Sequence, residues 1–360
     1  MLGALADVGQ CSLTQADGWI IAVERIASPV FVIGCHRSGT NLLYDMLLSA
    51  GGFAIYRGYL PVYKMLIPRF GPLDRPKNRD RLVKTWLQSK GFRRSNLDAS
   101  QLAGQFLRDC RNGGDFIRIV MDEITRQQAA IRWAVYDPDN VHYIRQIKRD
   151  LPGALFVHIV RDGRDIALSL SKMGGFRPFP WDRRARGLLP TALYWEWMVE
   201  QGRRYGREIP GDYFEVHYED LVSEPRRTLA SLGEFLDHDL DYDRIQRVRL
   251  GRVGDSNSSF KTEPEDVSAN PVNRWRERLS HPEVAAIESS VGNCLAEAGY
   301  ELTVPENERK LGTRLRMMRS AYLNFLDLKL WLKTSTPIGR LANLSALDLA
   351  DTHIDTDAAG

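Results

Sequence analysis

Short apolar runs alternate with helically spaced segments along most of the chain. Residues 29–33 (PVFVI) are β-prone and stop at Gly34; the stretch after Thr40, NLLYDMLLSA, has helical spacing and stops at Gly51-Gly52. Strand, glycine-bearing loop and helix are therefore expected in that order. Helical spacing recurs over 79–91, 100–112 and 115–130, a strand is expected at 131–136, and a helix over 140–150 ends before Pro152. Residues 154–160 (ALFVHIV) are almost continuously apolar, the pattern of a strand covered on both faces. A polar turn, Arg161-Asp162-Gly163-Arg164, leads into a helical pattern from Asp165 to Met173. Residues 190–207, 225–236 and 283–298 read as helices, and 212–217 (DYFEVH) alternates as a strand. Strands alternating with helices predict an α/β fold with a central parallel sheet and right-handed crossovers. In such sheets ligands sit beyond the carboxyl ends of the strands. The chemistry is therefore expected at 34–41 and 161–169.

Composition narrows this picture only slightly. The chain has 360 residues, 43% of them apolar and 26% charged, which suits a soluble globular protein with a full core. A net charge of +3 gives no reason to expect a nucleic-acid partner, so any anion site has to be built from local cations. Cys11, Cys35, Cys110 and Cys294 are far apart and form no CxxC pair, so neither zinc nor a disulfide framework is expected and no metal is assigned. The first residues lack a basic n-region and carry Asp7 and Asp17, and no apolar run reaches the length of a membrane span. A cytoplasmic location follows as an expectation.

In the loop Gly34-Cys35-His36-Arg37-Ser38-Gly39-Thr40-Asn41, two glycines bracket four residues between strand and helix. Such a loop lets backbone N–H groups curl around an anion at a helix N-terminus. It nearly matches the nucleotide P-loop GxxxxGK[ST], but Thr40 stands in the lysine position, which disfavours an ATPase or kinase. Arg37 supplies a cation inside the loop instead, and a guanidinium can grip two oxygens at once. Eight residues after Arg161, Ser169 lies two turns into the next helix, so both could reach one phosphate.

These two segments together resemble the 5′-phosphosulfate loop and the 3′-phosphate motif of sulfotransferases that use 3′-phosphoadenosine 5′-phosphosulfate (PAPS), in the branch with arginine in the loop. The resemblance runs from about Val30 to Tyr300. It implies a P-loop NTPase-like sheet flanked by helices, PAPS as co-substrate and adenosine 3′,5′-bisphosphate as product. It implies that Gly34, His36, Arg37, Ser38, Gly39, Thr40 and Asn41 hold the phosphosulfate, and Arg161 and Ser169 the 3′-phosphate. Tyr218, in HYEDL, would contact the nucleoside side. In NRWRERL, residues 273–279, Trp275 with Arg274 and Arg276 would close over the nucleotide, joined by Ser258, Ser259 and Lys261. A non-catalytic relative remains an alternative, because the glutamate expected about twenty residues after the loop is missing: residues 53–64 (FAIYRGYLPVYK) hold no carboxylate. Asp137 is the first candidate for the base that takes the acceptor proton and His36 the second, with Asp139, Asp122 and Glu123 also in reach of the argument.

The expected division is an N-terminal helical extension over 1–28, a catalytic domain over 29–303, a C-terminal amphipathic extension over 304–340 and an acidic tail over 341–360. Between 60 and 115 lie Lys64, Arg69, Arg75, Lys77, Arg79, Arg81, Lys84, Arg93 and Arg94, a basic wall suited to an anionic glycan or lipid headgroup. The acceptor is expected to be a small molecule, glycan or lipid. Residues 314–334 are basic and amphipathic, with Met318, Tyr322, Phe325, Leu328 and Leu332 at helical spacing. Membrane-surface contact and packing onto the domain are the two readings.

Overall fold

The computed structural model describes residues 25–172, 187–251 and 272–341. Its scaffold is β1 (Val30–Gly34), α1 (Thr40–Ser49), β2 (Phe53–Ala54), α2 (Pro76–Leu87), α3 (Ala99–Asp109), α4 (Gly113–Gln127), β3 (Arg132–Tyr136), α5 (Ile144–Asp150), β4 (Leu155–Val160), α6 (Gly163–Lys172), α7 (Leu188–Gly206), β5 (Tyr213–His217), α8 (Tyr218–Ser223), α9 (Pro225–Leu236), α10 (His281–Glu297) and α11 (Thr313–Ser335). Helical turns at Ile67–Phe70, Lys90–Ser95, Tyr242–Val248 and Trp275–Arg278 join them.

The five strands are parallel in the order β2-β3-β1-β4-β5. Alternation within the buried strands divides the core between the two faces. In β1, Phe31 and Ile33 join the cluster that also holds Phe156, Trp195 and Ile119, while Val30 and Val32 join Leu43, Leu47, Val157 and Leu232 on the other face. Helices covering both faces explain why β1 and β4 read as continuous apolar runs.

The order places the functional ends. The chain leaves β1, builds β2 and β3 on one side, then crosses to build β4 and β5 on the other. The crevice at such a reversal lies between β1 and β4. Gly34 is level with Ile159, Val160 with His217, and Val32 with Tyr136. The segments that follow β1, β3, β4 and β5 thus emerge side by side.

The elements expected from periodicity are present with shifted ends. The helix expected over 79–91 stops at Leu87, because Ser89 accepts the Phe92 amide and starts a new turn. The helix expected over 140–150 begins at Ile144, after a 3₁₀ turn, Pro138–His142, capped by Asp137. The two-residue β2 is too short to carry a periodic signal. Residues 1–24, the flap residues Ser258, Ser259 and Lys261, and residues 342–360 lie outside the described chain.

Candidate functional site

After Gly34 the backbone turns sharply. Ser38 is buried and its hydroxyl and amide both bond the Cys35 carbonyl, at 2.5 and 3.1 Å, so this residue holds the loop's shape from within. Arg37 sits in the left-handed region at φ 72° and Gly39 at φ 100°. A left-handed arginine costs about 1–2 kcal/mol, a strain typical of ligand-holding turns. Gly39 has a packing reason as well: a Cβ there would lie 2.5 Å from the Tyr218 ring. Thr40 and Asn41 open α1, whose N-terminus has no side-chain cap and no acidic residue in its first turn. Such a terminus presents backbone N–H groups to an anion.

The second loop meets the first directly. Arg37 Nε donates to Ser169 Oγ at 3.2 Å, and Arg161 Nη1 donates to the Arg37 carbonyl at 3.2 Å. Arg161 is 6% exposed, lies 4.3 Å above the Tyr218 ring and pairs with Asp165 at 3.5 Å. The Asp165 carboxylate also accepts the amides of Asn273 and Trp275, at 3.1 and 2.9 Å, which pins the later segment against α6. A shallow cleft results, lined by Arg161, Asp165, Leu168, Ser169, Lys172, Arg274 and Arg278. It has four cations against one carboxylate.

Lys172 and Arg278 were not singled out by the sequence reading, although signals were there. Lys172 is three residues beyond Ser169 and Arg278 four beyond Arg274, spacings that share a helix face. Arg276 instead stacks on Trp275 at 4.6 Å. The Trp275 ring is 3% exposed, has Arg164 3.8 Å above it and packs with Val284 and Val304. It belongs to a small core, and the residue touches the site through its amide. Arg164 itself is fully engaged by Asp162, Glu288 and the Glu301 carbonyl, so its role is architectural.

On the β3 side of the loop at 34–41 lies a titratable cluster. His36 Nε2 is 3.5 Å from Asp139 Oδ2, and Lys64 Nζ also donates to that carboxylate. Asp137 Oδ1 accepts the Asp139 amide at 3.1 Å, and its Oδ2 accepts the Tyr59 hydroxyl at 3.2 Å. Burial works against charge on Asp139, but Lys64 and His36 outweigh it and hold the carboxyl well below the usual range. Asp137 goes the other way: burial raises it, Lys64 opposes, and repulsion from Asp139 adds to the rise. The region that lacks a carboxylate, residues 53–64, thus lies against two carboxylates supplied by the end of β3. A small pocket lies here, lined by residues including Tyr44, Tyr56, Leu60, Tyr136 and Asp137.

Other expected residues fall elsewhere. Asp122 and Glu123 lie on α4, with Trp133, Arg118 and Arg126 as partners. The basic wall over 60–115 is dispersed. Lys64 reaches Asp139, but Arg79 is buried and donates to the carbonyls of Leu73 and Cys110, Lys84 pairs with Asp80, and Arg69 donates to the Arg340 carbonyl. Among the described residues no cluster of His, Cys, Asp or Glu is placed to hold a metal ion.

Three comparisons bear on this site. The sequence model described as the sulfotransferase family matches residues 29–242, which include both loops and the β3 cluster. Carbohydrate sulfotransferase 1 from Rattus norvegicus is 31% identical over 103 residues, 28% of this chain and 25% of that protein. The Homo sapiens protein of the same name is 30% identical over 103 residues. The chain thus spans about a quarter of the length of these curated relatives. Among solved structures, the sulfotransferase domain from the Synechococcus PCC 7002 olefin synthase superposes with a TM-score of 0.53 at 20% identity, covering 77% of this chain and 96% of that one. The sulfotransferase domain from the curacin biosynthetic pathway gives 0.50 at 16% identity, covering 77% and 99%. Both likenesses concern the fold.

Proposed function

The chain belongs to the sulfotransferase family, and from that premise we propose that it transfers a sulfuryl group from PAPS to a hydroxyl, or an amine, of an acceptor. The observation that carries this reading is the contact between the two loops: Arg37 on Ser169 and Arg161 on the Arg37 carbonyl put both anion grips within one nucleotide's reach. The uncapped start of α1, with Arg37 beside it, suits the 5′-phosphosulfate. The cationic cleft of Arg161, Ser169, Lys172, Arg274 and Arg278 suits the 3′-phosphate. Tyr218, under Arg161 and against Gly39, forms the floor between them.

In the reaction the acceptor oxygen bonds to sulfur, the bond from sulfur to the 5′-phosphate oxygen breaks, and its electron pair leaves with adenosine 3′,5′-bisphosphate. Arg37 and the loop amides neutralise the charge that grows on that oxygen; the reading assigns this work to these groups and to no metal ion. Asp137 takes the acceptor proton, with His36 the second candidate. Burial suits Asp137 to the task, since a carboxyl raised above its usual range is a stronger base. The cavity beside Asp137 receives the acceptor, a small molecule, glycan or lipid. The relatives named as carbohydrate sulfotransferases support a sugar hydroxyl over the part they share. We further assign catalysis to the unit 29–303 and a cytoplasmic location, which suits the free thiols of Cys35, Cys110 and Cys294.

Calorimetric titration of adenosine 3′,5′-bisphosphate and of adenosine 5′-monophosphate tests the assignment. The wild type is expected to prefer the bisphosphate, and Arg161→Ala to lose that preference, weakening the bisphosphate about 10- to 100-fold while sparing the monophosphate. Arg37→Ala is expected to lower labelled sulfate transfer about 100-fold or more. A wild type that binds ATP with magnesium and ignores the bisphosphate would overturn the reading.

A further inference from the structure

α11 is amphipathic twice over. Its inner face is docked: Arg319 donates to Glu196 and to the Ser290 carbonyl at 2.6 and 3.0 Å, Trp197 Nε1 donates to Asp327 at 2.7 Å, and Tyr322 and Leu326 are buried. Its outer face carries Met317, Ala321, Phe325, Leu328 and Trp331, spaced three or four residues apart, and the turn Pro337–Leu341 that follows adds exposed Ile338 and Leu341. The six large side chains in this row are between 52 and 78% exposed. Soluble surfaces scatter single apolar residues, but four in register on one helix face with two more on the adjoining turn make a contact surface.

The charges say what the row fits. Residues 313–341 hold six cations, Arg314, Arg316, Arg319, Lys329, Lys333 and Arg340, and one acid, Asp327, which is occupied by Trp197. Arg314, Arg316, Lys329 and Arg340 are exposed around the row. A second copy of this face would bring like charges together. An anionic lipid surface instead meets the cations with phosphate while Phe325, Leu328 and Trp331 enter the headgroup boundary, the habit of helices that lie in the interface plane. No helix among the described residues is long and apolar enough to cross a membrane, which fits surface lodging rather than spanning.

We infer that the outer face of α11, with the turn Pro337–Leu341, docks the protein on an anionic lipid bilayer. The turn Pro337–Leu341 packs against the segment beside the proposed acceptor pocket. Arg69 donates to the Arg340 carbonyl and Gly339 lies against Pro68, in the segment that begins with Val62 and carries Lys64 to Asp139. Resting on the function proposed above, this position favours an acceptor whose hydroxyl is presented at a bilayer surface.

Cosedimentation of the full chain with vesicles, without donor or acceptor, tests the docking separately from catalysis. The protein is expected to pellet with phosphatidylcholine vesicles containing phosphatidylglycerol, and at least about tenfold less with phosphatidylcholine alone or at high salt. Phe325→Ser with Trp331→Ser should lower anionic-vesicle binding about tenfold or more at an unchanged melting midpoint, since both side chains are exposed. Equal binding to neutral and anionic vesicles, or a double variant that binds like the wild type, overturns the inference. So does a chain that ignores vesicles and sediments as a dimer that the double variant dissociates.

Discussion

Asp137 caps the turn Pro138–His142 with Oδ1 and faces the Tyr59 hydroxyl with Oδ2, beside the cavity. Asn in its place keeps an acceptor for the cap but cannot take a proton. Asp137→Asn is therefore expected to lower turnover about 100- to 10,000-fold with bisphosphate affinity unchanged. If His36→Gln shows that loss and Asp137→Asn does not, the base is His36. The raised carboxyl also fixes a pH dependence. Its folded-state value lies above the ordinary one, so the acid limb of turnover should fall above the usual carboxylate range and vanish in Asp137→Asn. The same sign means that its contribution to stability is full below the unfolded value of 3.8 and is lost as pH rises through the folded one. At this scale residue type and spacing singled out Arg37, Arg161 and Ser169, and the structure brings the three together. Trp275 was not legible, since a tryptophan beside arginines reads alike as a lid or as core.

Elements meet at this site through buried charge. Arg164, at the start of α6, joins Asp162 below β4 to Glu288 on α10, with all three nearly inaccessible. Glu288 accepts in addition the amides of Thr303 and Val304. Removing the cation leaves two carboxylates uncompensated, so Arg164→Ala should cost about 3–5 kcal/mol in urea denaturation. A loss below about 1 kcal/mol, the worth of a surface pair, would show that the network is not what holds α6 to α10. The longer helices were legible from their period, because burial on one face writes itself into the spacing, and β1 and β4 from continuous apolar runs covered on both faces. Their ends were less so. Ser89 and Asp137 redirect the chain with single hydrogen bonds that periodicity does not register.

At the scale of the whole molecule, a nucleotide held by β1, β4 and the segment 272–278 would tie three distant stretches of chain together. Adenosine 3′,5′-bisphosphate at about 100 times its dissociation constant is expected to add about 2.7 kcal/mol, read as a rise of several degrees in the melting midpoint. ADP with magnesium should give no such rise; an equal rise with both would favour a general nucleotide pocket.

The sequence by itself determined the strand–loop–helix units, the glycines that let a loop wrap an anion, and the cations beside them. Those properties are local, written in the spacing of a few residues. Only the tertiary structure decided that β1 lies between β3 and β4. That neighbourhood brings Arg37 onto Ser169, sets His36 against Asp139, and lays residues 53–64, which hold no carboxylate, against Asp137 and Asp139. It also settled which face of α11 is covered and which is left open. Strand order and helix docking depend on hydrogen bonds and burial between residues far apart in the chain, such as Val30 with Ala134 and Trp197 with Asp327, and no local pattern encodes them.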